Sequence, residues 1–304
     1  MCLEKKKNKK RKKIKSKCIR LTELRQLVRW VMERHGLSER RACCLLGLSR
    51  SGYRYKPRKK PDDEEVAKVL GQLAQDHPRW GARKMTAYLK NQGYTWNHKR
   101  IALVYKEQGL GLDGRKRARR IRRQGIRGKL PPGPQPLTPA SHLNQTWSLD
   151  FMSDRLAGGR TFRTLSVLDD FSRRALWIEA AVSLPPQRVI GLLEALILWH
   201  GQPDCLRTDN GPEFTSKVMA AWAESRGICL LRIQPGKPAQ NAYIERFNRS
   251  YREAVLDAYV FHSLAEVRRV TADWLRTYNT IRPHEALGGL PPQEFADKYG
   301  RSLS

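Results

Sequence analysis

Three acidic residues lie where an α/β protein would present carboxylates to a ligand. Asp150 sits inside the apolar run TWSLDFM, Asp209 ends the short run CLRTD just before the turn dipeptide Asn210-Gly211, and Glu245 lies within QNAYIERFNRSYRE. Carboxylate oxygens are the ligands that Mg²⁺ prefers, and they leave coordination positions for water and phosphate. Three such groups at one place suffice for two ions, which is the arrangement that catalyses in-line phosphoryl transfer.

The spacing of these acids alone is weak evidence for a metal site, so the prediction depends on the sequence around each acid. The 35 residues between Asp209 and Glu245 are an ordinary separation in a chain with 29 Asp and Glu. An alternative for Glu245 is a surface salt bridge to Arg249 at i+4 on the same helix. The alternative for Asp150 is a half-exposed strand acid. Three further acids compete for the same role, namely Asp154, Asp169 and Asp170, and the last two are interpreted as turn residues that close the second strand.

The elements around these acids predict a mixed sheet with helices on its faces. The runs TWSLDFM, TFRTLSVLDD and RRALWIEAAV indicate three successive antiparallel strands. A helix over 187–199, a strand CLRTD, a helix over 213–225, a strand ICLLRI and a helix over 239–256 follow. Such an order suits an RNase H-like five-stranded sheet flanked by helices. Because strands one and four are neighbours in that fold, all three acids would meet at one edge.

The N-terminal part has a different character and predicts all-α units that bind DNA. Residues 1–20 hold eleven Lys and Arg against one acid and are expected to form a disordered basic tail. Residues 21–56 fit a helix-turn-helix-like unit, because Gly47 supplies a turn and Ser49 a cap for the second helix. Arg50 and Arg54 on that helix are candidate DNA contacts. The alternative is a helical hairpin that never binds DNA.

Residues 57–112 predict a second unit of the same kind. Met85 and Leu89 line one helix, Gly93 ends it, and Asn97 caps another. The first turn of a recognition helix usually faces base edges. The candidate contacts in that turn are His98, Lys99 and Arg100, although any solvated helix can begin with basic residues.

A basic, proline-rich linker over 113–140 separates these units from the second half. It contains nine Lys and Arg between residues 115 and 129 and then the run PPGPQPLTP. The catalytic domain is expected over 141–256. A helical extension over 257–304 follows, in which Ser263 and Glu266 form a capping-box pattern.

Several polar residues near the predicted catalytic helix are candidates for holding a DNA strand. The loop before that helix ends in a turn, and a flexible surface loop is the alternative for it. The candidates in and after the loop are Lys237, Gln240, Asn241, Arg249 and Arg252. Asn210 is expected to orient Asp209 or to contact DNA, and the alternative is that it acts only as a turn residue. Arg282 and His284 are candidates for contacts with phosphate or with flanking DNA, and simple packing is the alternative.

Charge and composition narrow the class of partner. A formal net charge of +30 and a pI near 10.4 favour a polyanion, either nucleic acid or an anionic membrane surface. The longest apolar stretch, 189–199, is interrupted by Glu194 and is too short to span a bilayer, and the basic N-terminus leads into no apolar signal segment. We therefore expect a cytoplasmic protein without a membrane partner. Six cysteines without a C-x-x-C pair disfavour a structural zinc site.

The motifs taken together resemble the DDE transposases of bacterial insertion sequences. The resemblance rests on W-S-L-D-F at Asp150, on T-D-N-G-P-E-F at Asp209, on P-G-K-P-A-Q-N ahead of E-R-F-N at Glu245, and on Y-N-T-I-R-P-H-E-A-L from Tyr278. It covers residues 40–298 and is closest to the second-frame (OrfB-type) product of the IS-three family. That family shares its catalytic fold with retroviral integrases, but the zinc module of those integrases has no counterpart here.

The resemblance implies an activity, a cofactor and partners. Asp150, Asp209 and Glu245 would bind two Mg²⁺ ions, with Mn²⁺ as a substitute, and the enzyme would cleave the element's ends and join the 3′-hydroxyls to target DNA. Pairing two DNA ends implies a homo-oligomer of at least two chains. An upstream-frame (OrfA-type) protein is a further expected partner. The competing functions are an RNase H-like nuclease that only hydrolyses, and a non-catalytic DNA-binding regulator.

Overall fold

The computed structural model describes residues 21–55, 62–111, 139–234 and 238–300. The predicted basic tail, most of the predicted linker and Lys237 lie outside these residues. The chain divides into two compact units, residues 1–63 and 64–304, which are described separately. Among the described residues, no helix combines the length and the apolar character that crossing a membrane requires.

The first unit consists of three helices around a small core. They are α1 (Leu21–His35), α2 (Glu39–Leu45) and α3 (Arg50–Arg54). The backbone of Gly47 has a positive φ of 65°, which a residue with a side chain rarely adopts, and it turns the chain between α2 and α3. The predicted cap is confirmed, because the Ser49 hydroxyl accepts a hydrogen bond from the Gly52 N–H at 3.0 Å. Val28, Ala42 and Cys43 form the buried centre.

Three further helices open the second unit, and they form a core of their own. They are α4 (Asp63–Asp76), α5 (Ala82–Asn91) and α6 (His98–Glu107). Met85 and Leu89 are buried as predicted, and the Asn97 side chain caps α6 by accepting from the Lys99 N–H at 2.9 Å. Helix α4 was absent from the prediction, although Val66 and Leu70 bury completely against the other two helices.

A five-stranded mixed sheet forms the centre of the second half, in the order β3-β2-β1-β4-β5. Its strands are β1 (Thr146–Arg155), β2 (Thr161–Asp169), β3 (Ala175–Ala181), β4 (Cys205–Thr208) and β5 (Cys229–Arg232). The first three are antiparallel, whereas β4 pairs in parallel with both β1 and β5. The predicted neighbourhood of strands one and four is therefore confirmed, and the architecture is RNase H-like.

Helices cover both faces of this sheet. Helices α7 (Pro186–His200), α8 (Pro212–Thr215) and α9 (Lys217–Ser225) pack on one face around Trp147 and Leu149. Helices α10 (Ala242–Tyr251) and α11 (Leu264–Thr280) pack on the other around Phe162 and Phe247. Alternate residues of β1 therefore point into different cores, and Asp150 lies on the α10 side. A final helix, α12 (Pro292–Tyr299), ends the described chain.

Two predicted helices are interrupted in the structure. The helix expected over 213–225 breaks at Ser216, whose hydroxyl caps α9 by accepting from the Met219 N–H at 3.2 Å. The helix expected over 239–256 begins with a 3-10 turn (Pro238–Asn241) and ends in a π-helical segment (Arg252–Leu256). In the capping box of α11, Ser263 accepts from the Glu266 N–H, while the Glu266 carboxylate accepts from the His262 N–H rather than from Ser263.

Candidate active site

Asp150 is held at both of its carboxylate oxygens. It occupies the middle of β1 opposite Ser166 of β2. The Phe151 N–H donates to Oδ1 at 2.9 Å, and the Asn248 amide Nδ2 donates to Oδ2 at 2.8 Å. Asn248 belongs to α10. This second bond therefore connects the strand that carries Asp150 to the helix that carries Glu245.

Asp209 immediately follows β4, next to Asp150. The parallel register pairs Ser148 with Arg207, so its continuation brings position 209 level with position 150. The Gly211 N–H donates to Oδ1 of Asp209 at 3.0 Å, and a Cβ at Gly211 would lie only 3.0 Å from that oxygen. A side chain at position 211 would therefore crowd the Asp209 carboxylate, which folds back over the turn. Asn210 does not touch Asp209; its amide donates to the Ile233 carbonyl at 3.0 Å.

Glu245 is exposed in the first turn of α10. The anticipated surface salt bridge to Arg249 is absent among the described residues, where no ion pair joins these two side chains. The carboxylate is thus free to turn toward the sheet edge.

Asp209 and Glu245 both act electrostatically on Asp150. Burial raises the pKa of Asp150 to about 6; the hydrogen bonds from Asn248 and Phe151 oppose this rise, and the negative charges of Asp209 and Glu245 add to it. Burial and like charge both disfavour the ionised form. An added cation would relieve this mutual repulsion, because it would neutralise charge at the same place.

The chemistry of these donors fits a hard divalent cation, but the three side chains do not form a complete metal site in the described structure. All three donors are carboxylates, the ligands that suit Mg²⁺ and Mn²⁺. Within the described parts of the chain, no three His, Cys, Asp or Glu side chains already stand close enough together to hold an ion. The exposed Glu245 is the member whose side chain has the most freedom to complete the set.

The competing acids have structural partners instead. Asp170 is buried, forms an ion pair with Arg207 and accepts from the Ser148 hydroxyl at 2.6 Å. Asp169 is also buried and accepts from the N–H and the hydroxyl of Ser172. Both close the second strand, as the sequence interpretation held. Asp154 pairs with Arg252 at 3.5 Å.

Asn248 is the residue near the acids that the sequence analysis missed. Its relative exposure is 5%, and its Oδ1 atom is buried without a hydrogen-bond partner among the described residues. Asn248 follows Glu245 by three residues, so the two side chains are neighbours on the surface of the helix. This spacing was the signal in the sequence that could have indicated Asn248 as a site residue. Only the packing of α10 on β1 shows that its amide reaches Asp150.

Four of the five candidate DNA contacts of the two helical units lie in the first turn of a helix, and Arg54 lies at the end of α3. Arg50 is exposed at the start of α3, whereas Arg54 at its end donates to Glu39 at 2.9 Å. His98 and Lys99 are exposed at the start of α6, and Arg100 is half-buried.

The candidates around the catalytic helix are placed in different environments. The Gln240 side chain accepts from the Gln234 N–H at 2.8 Å, and Asn241 is buried with its Oδ1 unpartnered in the described structure. Arg249 is exposed on α10. Arg252 instead donates to the Ser153 carbonyl at 3.0 Å in addition to its pair with Asp154. Its guanidinium is thereby directed to the end of β1.

Models of known protein families match three parts of the chain. Two models described as Integrase core domain match residues 140–238 and 226–292, and a model described as HTH-like domain matches residues 60–120. Among solved structures, the HTLV-2 integrase catalytic core domain in complex with magnesium is similar at 19% identity, with a TM-score of 0.40, over 51% of this chain and 97% of that chain.

Similar full-length proteins come from bacterial insertion elements. An insertion element IS476 protein of Xanthomonas euvesicatoria is 42% identical over 90% of this chain and 77% of its own length. An insertion element IS407 protein of Burkholderia multivorans is 40% identical over 88% of this chain and 94% of its own length. The transposase InsF for IS3A of Escherichia coli is 25% identical over 76% of this chain and 81% of its own length. The chain therefore belongs to the IS3-type family of insertion-element transposases, DDE polynucleotidyl transferases with an integrase core domain.

Proposed function

We propose that this transposase binds the ends of its insertion sequence, cleaves the DNA there and joins the 3′-hydroxyl ends to target DNA by Mg²⁺-dependent phosphoryl transfer. Asp150, Asp209 and Glu245 are the proposed catalytic residues and metal ligands. The observation that carries the proposal is that Asp209 follows β4 level with Asp150 on the paired strand β1, and that the charges of Asp209 and Glu245 both act on Asp150.

The metal would be held by these carboxylates and would supply electrostatic activation of the attacking oxygen and stabilisation of the leaving oxygen. The protein's own residues prepare that site. The Asn248 amide and the Phe151 N–H fix the orientation of Asp150, while the Gly211 N–H fixes Asp209. Glu245 remains the adjustable ligand on an otherwise packed helix.

Recognition of the element's ends is assigned to the helical units. The exposed first-turn residues Arg50, His98 and Lys99 would reach the DNA, with Arg249 beside the reacting phosphate. The net charge of +30 supplies the sequence-independent part of the affinity through counterion release. Bringing two ends together requires at least two chains, so the active form would be a homo-oligomer, and an upstream-frame protein is a further candidate partner.

The substitution Asp209→Asn tests the metal-ligand assignment. It keeps the shape of the side chain, so binding of a labelled end duplex in EDTA should change by less than about twofold. Mg²⁺-dependent nicking should fall by at least about a thousandfold, because loss of a metal-held charge removes several kcal/mol of transition-state stabilisation. Nicking that survives in this variant would refute the assignment.

A strand-transfer assay separates a transposase from a simple nuclease. Pre-cut end duplexes carrying a free 3′-hydroxyl are incubated with the protein, Mg²⁺ and a supercoiled plasmid. We expect covalently joined products whose formation depends on the 3′-hydroxyl, with a 3′-deoxy end as the matched control. Plasmid fragments without joined ends would instead establish hydrolysis as the activity.

A further inference from the structure

A large cavity lies on the side of the catalytic helix away from Glu245. It has a volume of about 710 Å³, and α10 contributes Tyr243, Arg246, Phe247 and Ser250 to its wall. At about 100° per helical residue, these four positions centre on the face opposite Glu245. The cavity is therefore separate from the carboxylate site, although both share one helix.

The charge of the cavity wall is strongly one-sided. Five cationic side chains line it, against a single acid, Glu285; the cations are Arg83, Lys84, Arg173, Arg246 and Arg282. They come from α5, the turn between β2 and β3, α10 and the segment after α11. Four separate parts of the chain thus bring positive charge to one place, which costs free energy unless an anion offsets it.

Glu285 does little to neutralise this charge. Its only ion pair in the described structure is with Arg83 at 3.9 Å, and the two side chains are 84% and 95% exposed. Exposed pairs of this kind contribute little. Among the described residues, no carboxylate is in ion-pair contact with Arg173 or Arg282. More distant carboxylates act on them electrostatically, namely Asp169 and Asp170 on Arg173 and Glu253 on Arg282.

Two buried nitrogen atoms in the wall have no hydrogen-bond partner in the described structure. They are Nη1 of Arg173 and Nε2 of His284. A buried polar nitrogen without a partner is rare in folded proteins and calls for an explanation, such as an ordered water, an ion or a ligand. Burial and the surrounding cations also lower the pKa of His284 to about 3, which reports the same excess of positive charge.

The backbone at Arg173 supports a role in binding. Its φ is 59°, in the left-handed region that residues with a side chain rarely adopt. This conformation places the Arg173 guanidinium 3.3 Å from the centre of the Tyr243 ring, at the cavity wall. The Asp169 carboxylate stabilises the strained turn by accepting from Ser172. Backbone strain of this kind is found most often at functional sites, where it holds a side chain in the orientation needed for binding.

We propose that this cavity is a phosphate-binding site that takes backbone phosphates of a DNA segment passing behind the catalytic helix. Arginine forks and a histidine nitrogen donate to phosphate oxygens, and no base-reading group is needed for such contacts. The choice of DNA as the source of the phosphate rests on the proposed function. Arg83 and Arg246 lie exposed at the mouth, so a strand can reach them without rearrangement of the core.

Chemical footprinting of arginines tests the site directly on the full chain. Phenylglyoxal labelling of Arg83 and Arg246 is measured in EDTA by peptide mass spectrometry. Three samples are compared: the protein alone, the protein with an end duplex, and the protein with inorganic phosphate. Phosphate is used at about 10 mM, which is enough to saturate a weak anion site. We expect the duplex to slow labelling of both by at least about threefold. The exposed Arg269 on α11 serves as the reference and should label at an unchanged rate.

The pattern of protection decides between sources of phosphate. Protection by the duplex, with or without protection by inorganic phosphate, supports the proposal. Protection by inorganic phosphate alone would overturn DNA as the occupant, and protection by neither would overturn the site itself. Labelling is measured without metal and therefore does not depend on catalysis. If the same wild-type protein cleaves DNA when Mg²⁺ is supplied but leaves Arg83 and Arg246 unprotected in the labelling experiment, only this inference is refuted.

A double variant measures how much the site contributes to binding. Arg83→Gln with Arg246→Gln removes two phosphate contacts, so the slope of log affinity against log salt should become shallower by about 2. Affinity should fall on the order of tenfold near physiological salt. The matched control, Arg269→Gln with Arg276→Gln, removes the same charge from exposed positions of α11. Equal losses in both doubles would show a general charge effect and contradict a site.

Discussion

The Asn248 amide donates to the Asp150 carboxylate across the junction between α10 and β1, at 2.8 Å. This bond joins two parts of the chain that are 98 residues apart. It also fixes the position of helix α10, which carries Glu245, relative to strand β1, which carries Asp150. The position of one proposed ligand relative to another thus depends on a neutral amide rather than on a charge.

Replacement of Asn248 with alanine should impair catalysis without removing a ligand. The hydrogen bond from Asn248 lowers the pKa of Asp150, so its loss raises that pKa further above about 6. We expect nicking to fall by about 10- to 100-fold at neutral pH and to recover partly at higher pH. The measurement is the pH profile of nicking at saturating Mg²⁺. An unshifted profile, or the same loss in the exposed α4 variant Gln72→Ala, would contradict this role.

Replacement of Asp150 with asparagine should stabilise the metal-free protein at neutral pH. A folded-state pKa raised to about 6 means that ionised Asp150 disfavours the fold, and this cost appears as pH rises from about 4 through 6. Above pH 6 the variant should gain about 1–3 kcal/mol in free energy of unfolding, and near pH 4 it should gain almost nothing. Urea unfolding in EDTA at the two pH values gives the comparison. An equal gain at both pH values would rule out an electrostatic cause.

Addition of Mg²⁺ should stabilise the wild type and not the Asp150→Asn variant. A ligand that binds only the folded state raises the free energy of unfolding by RT ln(1 + [L]/Kd). With Mg²⁺ at about 100 times its Kd, the gain is about 2.7 kcal/mol. Thermal unfolding over a Mg²⁺ titration, with equal ionic strength from NaCl as the control, measures it. Identical responses of the two proteins would argue against Asp150 as a ligand.

The ion pair between Arg207 and Asp170 should matter for folding rather than for catalysis. Asp170 is 1% exposed and Arg207 13% exposed at their side chains. Replacing Arg207 with methionine leaves a buried carboxylate without its partner, so we expect a loss of about 3 kcal/mol in the free energy of unfolding. The double variant with Asp170→Asn should recover part of that loss. A single variant as stable as the wild type would show that the pair is dispensable.

Arg249 and Arg252 should differ, although both follow Glu245 on the same side of the helix. Arg249→Ala should weaken DNA binding and leave stability within about 0.5 kcal/mol, because its side chain is exposed. Arg252→Ala should instead lower stability by about 1 kcal/mol, since its guanidinium binds Asp154 and the Ser153 carbonyl. Anisotropy with an end duplex and urea unfolding separate the two effects. If both variants lost DNA affinity equally and neither lost stability, both arginines would be DNA contacts and this prediction would be wrong.

Local patterns sufficed for many elements of the fold. The caps at Ser49 and Asn97 and the mixed order of strands follow from side-chain chemistry and periodicity that act over a few residues. Helix α4 was missed although its local signal is present, because Val66, Leu70 and Leu73 recur at helical spacing and are all buried. The break at Ser216 escaped because a helical period continues across it, while the hydroxyl of Ser216 caps a new helix.

The sequence by itself determined the family, the acidic character of the site and the basic character of the chain, because these depend on residue types and short motifs. Only the tertiary structure decided that Asn248 holds Asp150, that Arg252 turns to β1, and that five cations from distant segments surround one cavity. The physical reason is that these contacts join elements far apart in the chain. Their geometry is fixed by how α10 and the C-terminal segments pack on the sheet, which no local pattern encodes.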